Sequence, residues 1–507
     1  MKNKYIIPLI IIAVIIASCG KDWLEIEPIA KYTTEEYTND PDLKGEFDIE
    51  KARSAMDGAY MPLGYQQPWG MCTWTSLNSL TSNANCGGGS AGDRKEFEEL
   101  DNYKLTSSSL APLHMWQKLY RGIQATNLVL ADAQLYDSPE LRIIKSEART
   151  LRAYYYFDLV RFFGDVPYVT DLEVNAERIP ADEILNDLSK ELEENVPNLK
   201  DKSADGKINL AAGYTLLGKI YLWQENFIDA AKCFAKVISN TKFELKDDYE
   251  SIFNYENELN NEIIFNIPYD GSLGFSWDGW SRTSNMEIKL AGIRSLSFFD
   301  DDDPLNMVDG WGFIKPTPDI VDAYIAEDDM VRLNANIWFA DKTGKAKYAQ
   351  YFEVALEDIA SFDDTYQFEG FFRRKYSAWI NMPLTGQEGF EQDFILYRFA
   401  DVLLLQAECL VNGATDPNGN SADYYVNMVR ERVNLPAKSG VTLDDIKTER
   451  RLELAFEFDR YFDLIRWGDA ELVLGPLGYN STTLGLYPIP KDQIISSGGV
   501  LTQNPGY

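Results

Sequence analysis

The sequence has very little histidine and comparatively little positive charge. His114 is the single histidine in 507 residues, so a three-histidine metal site or a zincin motif cannot be built. Any Ser-His-Asp triad would have to use His114 itself. Lys and Arg number 48 against 80 Asp and Glu, and the resulting net charge of -32 makes nucleic acid an unfavourable partner.

Long apolar runs are also scarce, and the clearest one lies at the start. Lys2 and Lys4 precede an apolar stretch over 6–17 that is short for a membrane span, and small residues come directly before Cys19. This pattern predicts an export signal over 1–18 and lipidation of Cys19, with residues 19–50 as an extended tether. The alternative is an uncleaved anchor helix or a chance cysteine.

Only five cysteines are present, and no C-x-x-C spacing occurs, so neither a zinc site nor a redox motif is expected. Cys72 and Cys86 share one Gly/Asn/Ser-rich segment and could pair in an oxidising compartment. Cys233 and Cys409 lie in apolar helical patterns and are predicted to be small core residues.

Helical periodicity dominates residues 51–242. In the segment that begins at Pro112, Trp116 and other apolar residues recur at helical steps, while His114 falls on the opposite side. We therefore expect His114 to be a solvated surface residue. A second, longer helix is predicted from Pro139 to the Gly-Asp-Val-Pro stretch at 164–167.

A helix pair is predicted between residues 209 and 240, where most of the tetratricopeptide spacing is present: Tyr214, Leu217, Gly218, Tyr221, Ala230, Phe234 and Val237. The small Gly218 would let the second helix approach closely. One such pair cannot bury both faces alone, so other pairs should stack beside it, built from 113–163 and from 397–411 with 422–433. The predicted fold is mostly α, a tetratricopeptide-like helical-hairpin scaffold over 51–242 followed by a loop-rich mixed half over 243–507.

Tryptophans divide between helical patterns and loops. Trp116, Trp223 and Trp467 lie in helical patterns and are predicted to be core. Loop tryptophans and their polar neighbours are the candidates for ligand binding, because an exposed ring stacks on an apolar ligand face while amides and charges bind hydroxyls. These candidates are Trp74, Asn78, Trp277, Asp278, Trp280, Arg282 and Trp311. Each ring could instead be a packing plug.

Two charged runs invite chemical interpretations. Asp300, Asp301 and Asp302 begin a four-carboxylate run that could hold calcium, but the Gly turn and distant Glu of a calcium loop are missing, so a solvated acidic loop is the default.

In the run over 449–466, Glu453, Glu457 and Arg460 would share one helical face, and Asp459, Asp463 and Arg466 another. Arginine neighbours keep carboxylates ionised, which favours a structural ion-pair network over a general acid.

Several segments together resemble the SusD/RagB family of outer-membrane nutrient-binding lipoproteins. They are EARTLRAY at 147–154 with FGDVP at 163–167, YRFADVLL at 397–404, ERRLELAFE at 449–457 with RYFDLIRWG at 460–468, PIP at 488–490 and QNPGY at 503–507. The resemblance spans nearly the whole chain after Cys19, whereas the middle loop region matches no family pattern.

The resemblance implies a tetratricopeptide-like scaffold that carries a ligand surface on loops, without catalysis and without a cofactor. It also implies an outer-membrane protein that faces the cell surface, is anchored by its lipid, and works with a TonB-dependent (SusC-like) barrel that imports the captured ligand. Oligosaccharides are the expected ligands, with peptides as the alternative. A surface glycosidase that uses two carboxylates is the rival function class, since 80 acidic residues do not exclude one by number.

Overall fold

The computed structural model describes residues 48–64, 81–133, 136–173, 176–203, 205–269, 285–294, 310–340, 346–353, 366–376, 384–385, 389–457 and 459–507. Sixteen α-helices lie in these segments: α1 Ile49–Tyr60, α2 Lys95–Asp101, α3 Leu110–Ala133, α4 Pro139–Phe163, α5 Ala181–Asn195, α6 Leu210–Trp223, α7 Phe227–Ile238, α8 Met286–Ala291, α9 Pro318–Ala326, α10 Met330–Asn336, α11 Phe399–Val411, α12 Ala422–Arg432, α13 Leu443–Glu453, α14 Arg460–Arg466, α15 Ala470–Leu474 and α16 Lys491–Ser496. The strands are β1 Ala84–Gly87, β2 Val166–Pro167, β3 Arg178–Ile179, β4 Ile263–Ile267, β5 Phe313–Pro316, β6 Ile337–Phe339, β7 Phe371–Arg373, β8 Leu384–Thr385, β9 Gly389–Phe390 and β10 Phe394–Arg398.

The long helices stack as consecutive pairs. Helix α3 packs between α1 and α4, α4 packs on α5, and α6 packs on α7. The stack continues from α7 to α11, which contacts both α12 and α13. This arrangement confirms the mostly α, tetratricopeptide-like scaffold, and the buried apolar side chains of both halves of the chain form one continuous core. The proposed boundary near residue 243 stays a prediction.

The helix pair predicted from the tetratricopeptide spacing is present as α6 and α7. Asn209 caps α6 by accepting a hydrogen bond from the Ala212 amide at 3.0 Å. A Cβ on Gly218 would lie 2.5 Å from a ring carbon of Phe234, so only glycine permits this approach of the two helices. Phe234 and Ala230 are fully buried between them, as the spacing predicts.

Helix α4 also forms where the sequence predicts it. Ser138 caps its start by accepting a hydrogen bond from the Leu141 amide at 3.1 Å, and Pro139 occupies the first turn. The helix ends at Phe163 because Gly164 adopts a left-handed φ of 67°. Neighbouring helices α1, α3 and α5 all contact α4, so most of its surface is buried.

The expectation that His114 lies on the surface is wrong. Its side chain is only 9% exposed, and burial lowers its pKa to about 4. Helix α3 contacts both α1 and α4, so the face opposite Trp116 is covered as well. Lys118, on that same face, is also buried.

The three tryptophans assigned to the core have different environments. Trp116 is fully buried, which confirms its prediction, and Trp223 is partly buried against the core. The prediction is wrong for Trp467, because α14 ends at Arg466 and the indole therefore leaves the helical stripe. Trp467 is half-buried, and its Nε1 donates a hydrogen bond to Glu408 at 2.9 Å.

The cysteine predictions are confirmed where the structure describes them. Cys233 and Cys409 are buried in α7 and α11. Cys86 is a buried free thiol at the end of β1, whereas its suggested partner Cys72 lies outside the described residues.

Strand β10 corrects the predicted start of helix α11. Tyr397 and Arg398 were expected to be helical, but both belong to β10, which pairs antiparallel with β4. This pairing explains why the helix begins only at Phe399, because the backbone before it is held in the sheet.

Glu453, at the end of α13, is surrounded by three arginines. Its carboxylate accepts from Arg332 at 2.9 Å and also from Arg398 and Arg432. Arg398 donates further to Glu262 at 2.9 Å, and all five side chains are buried. Although burial alone would raise it, the three guanidinium groups hold the pKa of Glu453 well below its usual range.

The same network extends along both directions of α13. Glu457 accepts from Arg398 at 2.8 Å and from Lys375 at 2.6 Å. Glu449, one turn before Glu453, pairs with Arg332 at 2.7 Å. These contacts confirm the predicted structural role of Glu453 and Glu457, and they leave neither carboxylate available as a general acid.

The second predicted face of the charged run is also paired. Asp459 accepts from Arg161 at 3.2 Å and from Lys219. Asp463 accepts from Arg466 at 2.7 Å. The structural ion-pair interpretation is therefore confirmed for Asp459, Asp463 and Arg466.

The expected pairing of Arg460 with Glu453 and Glu457 is wrong. Helix α13 ends at Glu453, Phe456 adopts a left-handed φ of 62°, and a new helix begins at Arg460. The face assumed to be continuous is therefore broken by a turn. Within the described segments, Arg460 forms no ion pair with any carboxylate.

We predict that Glu453→Gln lowers the free energy of unfolding by about 3–5 kcal/mol, because it leaves three buried guanidinium groups without their shared counter-charge. The matched control is Glu194→Gln at an exposed carboxylate, which should change stability by less than about 0.5 kcal/mol. Urea unfolding at pH 7 measures both. Since the folded-state pKa is depressed, the contribution of Glu453 is present above its unfolded pKa and is lost as pH falls through the folded one. Equal stability of the two variants at pH 7 would contradict the assigned role.

Candidate functional site

Of the predicted ligand-binding residues, only Trp311 belongs to the described part of the chain. The other positions with a predicted role lie outside the described residues: Cys19, Trp74, Asn78, Trp277, Asp278, Trp280, Arg282, Asp300, Asp301 and Asp302. Their roles stay predictions.

Residues from two loop-rich parts of the sequence, around 65–100 and 270–315, pair in a two-stranded ribbon. Strand β1 pairs antiparallel with β5, with Asn85 opposite Lys315 and Gly87 opposite Phe313. The ladder continues past β1, because the Gly88 amide donates to the Gly312 carbonyl at 2.7 Å. Parts of the regions 65–100 and 270–315 are therefore in contact, which the sequence alone does not reveal.

Glycines permit close backbone contact around this ribbon. A Cβ on Gly310 would lie 2.3 Å from the carbonyl carbon of Gly292, and one on Gly89 would lie 2.5 Å from the guanidinium carbon of Arg294. A larger residue at Gly310 would push the two backbone segments apart, whereas one at Gly89 would displace the Arg294 side chain.

Trp311 lies two residues before β5 and is partly buried against the core. Its backbone is fixed on both sides: the amide donates to the Lys289 carbonyl at 2.8 Å, and the carbonyl accepts from Arg294 at 3.3 Å. Arg294 also pairs with Asp93 at 3.0 Å, and both side chains remain about one-third exposed, at 36% and 33%. The Trp311 backbone, a guanidinium and a carboxylate are thus held together at the surface.

A third segment, 366–370, completes the arrangement and was missed by the sequence reasoning. The Tyr366 amide donates to the Gly88 carbonyl at 3.1 Å, and Gln367 accepts from the Gly87 amide at 3.0 Å. Asn85 donates to Glu369 at 3.2 Å. These contacts join residues more than 250 positions apart. The local sequence of 366–370 does not predict them.

Buried charged groups lie beneath the ribbon. Lys315 donates to the Tyr366 carbonyl at 3.0 Å, and burial followed by the Arg294 charge lowers its pKa to about 7. Burial also raises the pKa of the Asp101 carboxyl, which accepts from the Cys86 amide at 3.0 Å. Both groups hold backbone in place, so they act as supports of the surface rather than as free acid or base.

We call β1, β5 and the adjoining segments 88–94, 292–294, 310–312 and 366–370 the ribbon site. Its partly exposed side chains combine aromatic rings, Trp311 and Phe368, with the polar groups of Asn85, Gln367 and Arg294. Rings offer flat apolar platforms, and amides with charged groups bind hydroxyls. The described segments contain no group of three or more His, Cys, Asp or Glu placed to hold a metal ion.

Two family models match the chain. The first, described as the SusD family, matches residues 261–507, and the second, described as starch-binding associating with outer membrane, matches residues 59–222. The chain belongs to the SusD family. The SusD-like protein P2 of Formosa agariphila is 25% identical to it over the full length of both chains.

Solved SusD-like structures share the fold across most of the chain. The surface glycan-binding protein A of Bacteroides fluxus has a TM-score of 0.79 and 26% identity, covering 91% of this chain and 100% of its own. The surface glycan-binding protein A of Bacteroides thetaiotaomicron, solved in complex with laminarihexaose, has a TM-score of 0.77 and 25% identity, covering 90% and 99%. No helix in the described parts of this SusD-family chain is both long and apolar enough to cross a bilayer.

Proposed function

We propose that the protein captures an oligosaccharide at the ribbon site and delivers it to a TonB-dependent outer-membrane transporter, without catalysis. The observation that carries this proposal is the likeness to a SusD-like protein solved with laminarihexaose, which extends over 90% of the chain. The chemistry of the ribbon site supports it, because sugars present flat apolar faces and hydroxyl groups to rings and amides.

The pairing of carboxylates supports capture over hydrolysis. A glycosidase needs two carboxyl groups free to act as acid and nucleophile or base. Around the charged run at 449–466, Glu453, Glu457, Asp459 and Asp463 all accept from buried cations instead. A structural role fits these residues better than a catalytic one.

Placement at the outer membrane has two supports. The family model that matches 59–222 is described as associating with the outer membrane. Cys19 follows the apolar stretch and small residues typical of a lipidated export signal. The lipid on Cys19 would hold the folded chain at the cell surface, next to a barrel that imports what it captures.

Trp311→Ala should weaken glycan binding by roughly 5- to 150-fold, because one aromatic platform contributes about 1–3 kcal/mol. We expect the purified wild-type protein to retain a member of a glycan panel that includes laminarihexaose, without producing new reducing ends. Calorimetry gives the affinity, and a thermal midpoint reports stability. Trp74, Trp277 and Trp280 are tested by the same substitution.

The matched control is Trp223→Ala, because Trp223 is also partly buried but lies in the α6–α7 pair against Phe157 and Phe462. It should leave glycan affinity unchanged. Unchanged affinity in all four loop variants would show that the site is misplaced. If affinity falls only together with the thermal midpoint, the rings are packing residues and not binding platforms. Retention of peptides alone would identify the ligand as a peptide instead of a glycan. New reducing ends would indicate a glycosidase.

Affinity purification of the tagged protein from gently solubilised membranes should recover a TonB-dependent barrel in comparable amount, because a capture protein without a channel needs a transporter. The control is Cys19→Ala, which should move to the soluble periplasmic fraction and lose the barrel. Recovery of the wild-type protein alone, from cells that express both, would argue against the partnership. A Cys19→Ala protein that remains in the membrane fraction would place the anchor elsewhere.

A further inference from the structure

Arg460 is partly exposed and differs in its pairing from the fully buried arginines of this acidic chain. The fully buried Arg332, Arg373, Arg398 and Arg450 each pair with at least one carboxylate. Arg460 pairs with none in the described part of the chain, and its Nε is inaccessible to water and has no hydrogen-bond partner. The guanidinium of Arg460 therefore has no direct ion-pair partner in the described part of the chain.

Asp463, one turn after Arg460 in α14, already pairs with two other arginines. Its charge acts on Arg460. Its two oxygens, however, accept from Arg450 at 3.0 Å and from Arg466 at 2.7 Å. Asp463 therefore serves two other cations and leaves Arg460 without a direct partner.

Two further acids whose charges act on Arg460 are engaged as well. Asp469 pairs with Lys447 at 2.7 Å, and Asp319 pairs with Arg451. Arg451 adds a second positive charge beside Arg460, so burial and then Arg451 lower the pKa of Arg460 to about 10. Arg451 and Arg460 thus have few carboxylate partners, although the chain has many more Asp and Glu than Lys and Arg.

The pair of arginines is accessible and has an aromatic neighbour. Arg451, Arg460, Tyr103 and Tyr479 are all partly exposed. The rings of Tyr103 and Tyr479 meet edge to face at 5.8 Å, and the Arg460 charge acts on Tyr103. A cation beside partly exposed rings suits a sugar that carries an anionic group.

The arginine pair lies at one end of the ribbon site. Arg451 donates to Asn83 at 2.9 Å, and Asn83 comes directly before β1. The Asp319 partner of Arg451 follows shortly after β5. Since a strand rises about 3.3 Å per residue, the four-residue ribbon places this end roughly 10 Å from the Gly87–Phe313 end. That distance is within the reach of one short oligosaccharide.

We propose that Arg460 and Arg451 bind the carboxylate or sulfate group of an acidic sugar unit in the captured glycan. This assignment rests on the proposed function and narrows its ligand class to glycans that carry anionic groups. Arg451 is oriented by Asn83 and Asp319, while Arg460 supplies a guanidinium group that pairs with no carboxylate in the described part of the chain.

The test uses matched sugars that differ only in the anionic group: glucuronate against glucose, and galactose 6-sulfate against galactose, at constant ionic strength. Saturation-transfer NMR on the full chain in detergent measures their affinities, with sodium sulfate as a separate arm. We expect the charged sugars to bind the wild-type protein more tightly than their neutral partners. Arg460→Gln should weaken charged-sugar binding about 10-fold or more, as expected for lost charge-assisted hydrogen bonds.

The matched control is Arg142→Gln, because Arg142 is 61% exposed and, among the described residues, forms an ion pair only with Asp137 at the surface. It should leave every affinity unchanged. Arg460→Gln should also leave the thermal midpoint of the ligand-free protein unchanged, which separates binding from a structural role. If that variant does not fold, Arg460→Lys keeps the charge without the planar fork and should give an intermediate loss of affinity.

Equal affinity of the wild-type and Arg460→Gln proteins for the charged sugars would overturn the proposal. Binding of inorganic sulfate without binding of either charged sugar would overturn the assignment to glycan and leave an adventitious ion only. Retention of laminarihexaose with no effect of the anionic groups would refute this inference while the proposed function stands. If the charged sugars bind through Arg460 but no oligosaccharide is retained, the anionic site stands and the proposed capture of an oligosaccharide is refuted.

Discussion

The shared counter-charge at Glu453 is the constraint on which the rest of the described structure depends. One carboxylate, buried at the end of α13, pairs with arginines from α10, β10 and α12, and Glu262, Glu449 and Glu457 supply the further negative charge. Taking these charges out of water is costly, so the network adds little net stability compared with an apolar core. The network does require α10, α12, α13 and β10 to pack in one arrangement, because any other arrangement would leave a buried charge unpaired.

Helix α13 transmits this constraint to the ribbon site. Its inward side carries Glu449 and Glu453, while Arg451 points the other way and donates to Asn83 at 2.9 Å, just before β1. The carbonyl of Leu452 accepts from Tyr324 at 2.8 Å, and Tyr324 belongs to α9, which follows β5. Both strands of the ribbon are thereby attached to the same short helix. A surface built from loops is rigid here because a buried charge network lies behind it, and rigid platforms bind with a smaller loss of conformational entropy.

The parts of the fold that the sequence predicts are those with local signals. The α6–α7 pair follows from small and aromatic residues at fixed spacing around Gly218, and α4 follows from its Ser138 cap and its Gly164 end. His114 was placed wrongly because periodicity identifies one buried face, whereas a helix between two neighbours buries both. Trp467 and Arg460 were placed wrongly because the turn at Phe456 and the helix end at Arg466 break a face that looks continuous in sequence.

The ribbon site could be predicted only in part. The glycines and Trp311 mark loops suited to ligand binding, but the pairing of β1 with β5 joins residues more than 220 positions apart and has no local signature. Lys315, Gln367 and Glu369 acquire their roles only from that pairing. The unpaired state of Arg460 is equally invisible in sequence, because it depends on which cations occupy Asp463, Asp319 and Asp469.

The central claim is that glycan binds across the ribbon site, and amide hydrogen exchange with and without a retained oligosaccharide tests it most directly. Peptides from 84–94, 310–316 and 366–370 should exchange more slowly in the presence of the glycan, because bound ligand suppresses local opening. Peptides from the α6–α7 pair at 210–238 should not change. Protection confined to the α6–α7 pair, or protection elsewhere with none at the ribbon site, would contradict the account.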